Sequence, residues 1–455
     1  MNAPAIKGWC PGALRPMESG DGLIVRLKIT GGIVPLDLAA RIADWSAQWG
    51  NGEIDLTSRV NLQLRGVSER NLPGLHAVLE EDGLLDGNAD GEAVRNVIAS
   101  PLAGVDPDAL LDVRPLVKEL EDRLAGDLAL HRLPAKFGFA IDDGGWFGLR
   151  DVSADIRFEA VAGSAFEIHL DGADEGIGLC GPDKLVDVAA ALARGFLRCR
   201  VDFGSDVRRM RDLVARIGAE AIANEASLAL KSTSPLEGEV GAKRRVGGMV
   251  QPPRNYPICG TITPHPSAKA PPTSPSRGEA LGPVVIGVGL PFGRIAAEQL
   301  TRLADSATVL GAHELRLTPW RTIFIPMPST IAAQTLYAEL ADTGLIFDPA
   351  DPRLHVAACA GQPSCLHATT KVREDAAHLA AFATKAPGIT LHVSGCAKGC
   401  AHPRPAPVTL VGRDGKYDLI RDGAPSDSPL LRGLTLDEAA GYLREMANPS
   451  QGGTA

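Results

Sequence analysis

The chain has 455 residues, 46 basic against 55 acidic side chains, and a hydrophobic share of 45% with 22% charged residues, the composition of a folded globular protein with room for roughly three domains. A net charge of -9 argues against non-specific adhesion to nucleic acid, while leaving room for a local basic pocket. No apolar run is long enough to span a bilayer, and the N-terminus MNAPAIKGWCPGALRPM lacks the apolar core and small-residue cleavage site of a signal peptide, so a cytoplasmic protein is expected.

Residues 21–67 read as an apolar alternating strand, a Gly-rich turn, an amphipathic helix and a second strand ending in LTSRVNLQLRGV. A longer α/β segment follows over about 82–225. It contains EAVRNVIASPLAG (92–104) and HRLPAKFGFAIDDGG (131–145), the latter an apolar strand entered from a basic turn and left through a glycine turn. From Ser232 to Ala280 the composition shifts to Pro, Gly, Ser and charge, with TSPLEGE at 233–239 echoed by TSPSRGE at 273–279; a disordered low-complexity insert is expected there.

Beyond the insert the first pattern returns. Residues 282–326 repeat the order strand, glycine turn, helix and strand, again with Leu-Thr before the last strand. The separation is far too long for a solenoid, so it marks a duplicated half-molecule, and a pseudo-twofold enzyme with a cleft between its halves follows. Residues 346–446 form the second α/β segment. The expected divisions are 1–81, 82–231, the insert 232–280, 281–345 and 346–455.

Only the last segment carries clustered cysteines, CAGQPSC (359–365) and SGCAKGC (394–400). Eight cysteines in so long a chain are too sparse for a disulfide scaffold, and in a reducing compartment a cluster of them binds metal or does chemistry. Thiolates suit an iron–sulfur cluster, zinc or copper. The five residues between Cys359 and Cys365 exceed the usual zinc-ribbon gap, whereas a cubane tolerates them. Gly361, Gly395 and Gly399 allow tight turns that present N–H groups to the sulfurs. Spacing alone leaves an iron–sulfur cluster, zinc and unrelated buried thiols as readings. Cys10, Cys180, Cys199 and Cys259 are expected to be packing residues or bystanders.

The cysteine quartet together with LTSRVNLQLRGV resembles the sulfite and nitrite reductase superfamily, over nearly all of the chain outside the insert. That resemblance implies an α+β fold of duplicated sulfite/nitrite reductase-like architecture: two ferredoxin-like half-domains plus two larger α/β domains with pseudo-twofold symmetry. It also implies a 4Fe-4S cluster on Cys359, Cys365, Cys396 and Cys400, with Cys400 nearest the substrate. Cationic contacts to tetrapyrrole carboxylates would come from Arg59, Arg95 and Lys136, since paired charge-assisted hydrogen bonds both bind and orient a rigid polyanion. For any one of these three, a solvated charge or structural ion pair is an equally good reading.

Within the superfamily, GWCPGALRPMESGDGLIVRLK and LHVSGCAKGCAHP followed by VTLVGRDGKYDLIRDG are most similar to the precorrin-3B synthase family. Such similarity implies a monooxygenase of aerobic cobalamin biosynthesis that uses dioxygen and reducing equivalents to hydroxylate precorrin-3A at C20 and close a γ-lactone. The alternative is a sirohaem-dependent sulfite or nitrite reductase. One departure separates them: the reductases commonly carry a second Lys two positions after the first, where this chain has Gly138. His367, His392 and His402 read as structural. The family's mononuclear non-haem iron has no ligand set readable here, and no catalytic residue is assigned. No convincing Gly-x-Gly-x-x-Gly fingerprint is present, so electrons are expected from a separate NAD(P)H-using partner. Neither nucleic acid nor membrane is expected as a partner.

Overall fold

The computed structural model describes residues 10–226, 260–262, 284–383 and 390–447. They form two small antiparallel sheets and two mixed sheets, each of five strands, in the duplicated α+β architecture that the sequence implied.

The two antiparallel sheets exchange an edge. The first contains Met17–Ser19, Gly22–Lys28, Asn61–Val67 and Glu53–Leu56, and is completed by Arg294–Ala296 from the second half. The second contains Gly260–Ile262, Val284–Gly289, Thr322–Met327 and Glu314–Leu317, and is completed by Ile33–Pro35 from the first half. Registers correspond, with Ile295 opposite Ile54 and Val34 opposite Leu315. One helix per half follows the exchanged strand. Leu36–Trp49 buries Leu36, Ala39, Ile42 and Ala43, and Ala297–Val309 buries Ala297, Leu300, Leu303, Ala304 and Ala307. Spacings of three and four put each set on one helical face. The two helices pack together, so both halves share one core; each fully buried Leu or Ile there contributes about 1.5–3 kcal/mol.

The turn between the last two strands is the same in both halves. Thr57 Oγ1 accepts from the N–H groups of Arg59 and Asn61 at 3.3 and 3.2 Å, and Thr318 Oγ1 accepts from those of Trp320 and Thr322, both at 3.3 Å. Val60 and Arg321 occupy matching left-handed positions, φ 60° and 63°. Such conformations are uncommon for side chains other than Gly, Asn and Asp, and their recurrence marks the duplication at the level of single residues.

The mixed sheets are also equivalent. In the first, Val97–Ala99, Phe139–Asp142 and Ile156–Val161 run parallel, followed antiparallel by Ala165–Leu170 and Gly178–Cys180. In the second, Val356–Ala358, Leu391–Ser394 and Ala406–Arg413 run parallel, followed antiparallel by Lys416–Gly423 and Leu431–Leu434. Most of the expected insert 232–280 lies outside the described residues. The exception is Gly260–Ile262, whose three residues extend the second antiparallel sheet by pairing with Val284–Gly289. No helix among the described residues is long and apolar enough to cross a membrane.

Candidate functional site

The first and second strands of the second mixed sheet deliver the four cysteines. Ala358 lies opposite Val393 in the parallel ladder, so the chain leaves both strands at the same sheet end, with Cys359 on one loop and Cys396 on the other. Gly395 N–H donates to Cys359 Sγ at 3.2 Å. A side chain at 395 would place its Cβ 2.7 Å from that of Ala368, so only glycine lets this N–H approach the sulfur. Ser394 Oγ donates to the Cys396 carbonyl at 2.8 Å, and the Cys365 carbonyl accepts from Ala368 N–H at 3.2 Å. Burial pushes the Cys359 thiol up, with Cys365 and Cys396 adding; Cys400 is exposed.

Among the described residues, three metal-capable donors come within 4.8 Å of one another only at Glu159, Glu167 and His169, where Arg150 and Arg157 already pair with Glu159 at 2.8 and 3.3 Å. Four soft donors with a backbone N–H aimed at one sulfur suit a thiolate-bound metal centre.

The equivalent loops of the first mixed sheet hold carboxylates instead of thiols. Asp142 accepts from the N–H groups of Gly144 and Leu149, Asp143 from that of Gly145, and Asp106 from those of Asp108 and Trp146. The first half closes its loops with buried aspartates, the second with cysteines.

The polar face of the first antiparallel sheet carries Lys28, Arg26, Gln63, Arg65 and Asp55, all alternating with core residues. At one end Lys28 Nζ reaches the carbonyl of Glu92 and Asn96 Oδ1 in the first mixed domain. At the other, Arg65 reaches the Ser364 carbonyl at 2.8 Å and Asp55 pairs with Arg373 at 2.9 Å, both in the cysteine domain. Arg26 lies between, opposite Gln63 in register. The Gln63 amide oxygen, in the orientation that satisfies both groups, accepts from Arg26 Nη2 and Nε at 2.8 and 3.2 Å.

Arg59 donates to the carbonyls of Ala135 and Lys136 at 3.4 and 3.0 Å, so the structure brings Arg59 and the Lys136 segment together. Burial, with Arg26 and Arg209 nearby, lowers the Arg59 guanidinium from 12.5 to about 10, and burial lowers Arg26 as well. Neither has a carboxylate within ion-pair distance among the described residues. Glu92 acts on Arg26 and Asp155 on Arg59 only from beyond contact, and two desolvated guanidiniums so placed suit an anion. Lys136 is exposed and likewise has no ion pair among the described residues.

Arg95 is engaged elsewhere. It pairs with Asp86 at 2.8 Å and Glu121 at 3.0 Å, with 11% of its side chain exposed; burial pulls its pKa down, but Glu121 and Asp86 outweigh burial and the net direction is up. It reaches a ligand only by giving up one of those carboxylates. Cys10, expected as a bystander, lies close enough to Arg26 and Arg59 to act on both electrostatically. Arg26 was missed from the sequence, although the alternation in LIVRLK already puts Arg26 and Lys28 on one face. His392 is fully buried beside His402, ring centroids 5.7 Å apart; burial, with His402 and Arg321 adding, holds it at about 3, so it is neutral. His367 is exposed.

Comparison with known proteins matches these parts. A family profile described as the nitrite/sulfite reductase ferredoxin-like half domain covers residues 15–82 and 280–343, and one described as the nitrite and sulphite reductase 4Fe-4S domain covers 90–233. The cysteine-bearing domain lies outside both ranges. A precorrin-3B synthase of Sinorhizobium sp is 33% identical over 93% of this chain and 84% of its own length. A ferredoxin–nitrite reductase of Synechococcus elongatus is 26% identical over 89% of this chain and 78% of its own. The structure of the Mycobacterium tuberculosis NirA protein superimposes with a TM-score of 0.69 at 20% identity, covering 95% of this chain and 82% of that one.

Proposed function

The chain belongs to the nitrite and sulfite reductase family, and from that premise we propose that it is a precorrin-3B synthase: an oxidoreductase that hydroxylates precorrin-3A at C20 and forms a γ-lactone from a ring A acetate. The observation that carries this reading is the higher identity to a precorrin-3B synthase than to the reductases matched over a similar span. Gly138, standing where the reductases commonly place a second Lys, supports it.

In this reading Arg26 and Arg59 take acetate and propionate carboxylates of the macrocycle, each bond charge-assisted and directional, and Lys136 adds a cation at the edge. Arg95 either joins them by exchanging a carboxylate or braces the wall through Asp86 and Glu121. Fixing several carboxylates of a rigid ring fixes C20 as well, and orientation of that kind is a large part of what a binding site adds to rate. Cys359, Cys365, Cys396 and Cys400 hold the 4Fe-4S cluster, which when bound is a one-electron carrier. One oxygen atom of dioxygen enters the product and the other leaves as water, so two electrons and two protons come from outside; a separate NAD(P)H-dependent partner supplies the electrons. The cytoplasm keeps the four thiols reduced.

The test is the absorption spectrum of anaerobically purified protein, with iron, sulfide and zinc counted on the same sample. A broad brown iron–sulfur band without sirohaem's sharp bands, followed by oxygen-dependent conversion of precorrin-3A, is the expected result. Sharp sirohaem bands would make the protein a reductase, and zinc without iron would overturn both.

A further inference from the structure

The loop that carries Cys365 is held from the opposite half of the molecule. The Ser364 carbonyl, one residue before the ligand, accepts three hydrogen bonds from the first antiparallel sheet: from Arg65 Nη2 at 2.8 Å, from Gly20 N–H at 3.3 Å and from Ser19 Oγ. Gly20 is required there, since a Cβ would stand 2.1 Å from the Pro363 carbonyl oxygen. Arg65 is itself locked. Its guanidinium grips Asp21 through Nη2 at 2.7 Å and Nε at 3.0 Å, donates to Ser19 Oγ at 3.1 Å, and is 4% exposed.

Arg65 is one member of a largely buried junction of three acids and three arginines. Asp55 pairs with Arg294 at 2.8 Å, with Arg373 at 2.9 Å and with Arg65 at 3.7 Å, and Arg294 also pairs with Glu53. Arg373 belongs to helix Val372–Leu379, whose first residue packs under Gly361 and Gly395, one in each cysteine loop. Charges balance within the junction, and its members come from the first half, the second half and the cysteine domain. Arg65 sits two residues along the same strand and face from Gln63, which holds Arg26.

We propose that Arg65 is a positioning residue for the cluster: through the Ser364 carbonyl it sets the place of Cys365 from the sheet that faces the substrate. The proposal rests on the four cysteines holding a cluster, as argued above. A planar fork is what the position uses, because one guanidinium serves Asp21 through two nitrogens and the carbonyl at once, and groups that orient metal ligands commonly change metal affinity or activity about 10–100-fold when removed.

The experiment uses the full chain purified anaerobically, with Arg65→Met, Arg65→Lys and Ser19→Ala beside Lys118→Ala as a surface control. Readouts are iron and sulfide content, the rate of iron loss to a chelator, the electron paramagnetic resonance spectrum of the reduced cluster, and its midpoint potential. The expected result is iron loss about tenfold faster in Arg65→Met with a shifted spectrum, a smaller change of the same kind in Arg65→Lys and Ser19→Ala, and none in Lys118→Ala. Should Arg65→Met fail to fold, the other two variants decide. Wild-type chelation rate, spectrum and potential in folded Arg65 and Ser19 variants would overturn the proposal. A wild-type protein that takes up no iron–sulfur cluster would instead overturn the reading of the cysteines on which it rests.

Discussion

Replacing Arg59 by Met separates a binding role from a structural one, because the two predict opposite signs for stability. Burial lowers the guanidinium from 12.5 to about 10, which at ~1.4 kcal/mol per pH unit is a cost to the ligand-free fold of about 3 kcal/mol. Below pH 10 the group is charged in both the folded and unfolded chain, so the full cost applies at pH 7. Met removes it but leaves the Ala135 and Lys136 carbonyls without their donor, a loss of about 1 kcal/mol for each bond. The net expectation for Arg59→Met is a gain of about 1 kcal/mol, read from the urea midpoint of the apoprotein. Binding should move the other way. Loss of a charge-assisted bond to a carboxylate, worth about 1.5–3 kcal/mol, weakens affinity for a polycarboxylate tetrapyrrole such as uroporphyrin roughly 10- to 150-fold. A destabilised variant that binds uroporphyrin as well as wild type would refute the reasoning and make Arg59 a structural brace between the half-domain and the 135–136 segment.

Cys396→Ser should lose most of its iron, sulfide and brown absorbance, whereas Cys199→Ser, outside the quartet, should keep all three; equal metal content in the two variants would dissociate the quartet from the cluster. Asp143, 1% exposed, is pushed from 3.8 up to about 6, chiefly by burial, with Asp142 and Asp106 adding. The folded chain holds this proton more tightly than the unfolded chain, so the group favours folding below about pH 4 and that contribution is lost as the pH rises through about 6. Compared with Asp143→Asn, wild type should therefore lose roughly 3 kcal/mol between pH 4 and 8; parallel pH profiles of the urea midpoint would argue against it.

The duplication was legible because it is written in local pattern: alternation, a glycine turn and a helical period recur in the same order in both halves. That Cys396 closes an apolar strand was legible for the same reason; that Cys359 leaves the neighbouring strand at the same sheet end was not. Nor were the reciprocal edge strands. Ile33–Pro35 and Arg294–Ala296 have three residues each, too few to show a period, and the partners of each lie in the other half. The commitment of Arg95 to Asp86 and Glu121 was hidden for a related reason, since an arginine in a motif carries no mark of which carboxylates fold back onto it. Arg26 could have been found. Its alternation with Val25 and Leu27 places it on the polar face beside Lys28, within the GWCPGALRPMESGDGLIVRLK stretch that carries the resemblance.

The exchanged strands bear on how such a molecule can be built at all. Neither antiparallel sheet is complete until the other half supplies its last strand, so a half-molecule alone would expose an unpaired edge and half of a shared core. Each half is thus built as if for an interlocked twofold dimer, with the two copies joined in one chain. A nick in the stretch that joins the halves would leave a two-chain complex still clasped by both strands, and the halves, produced separately, would find their stability only in fragment complementation.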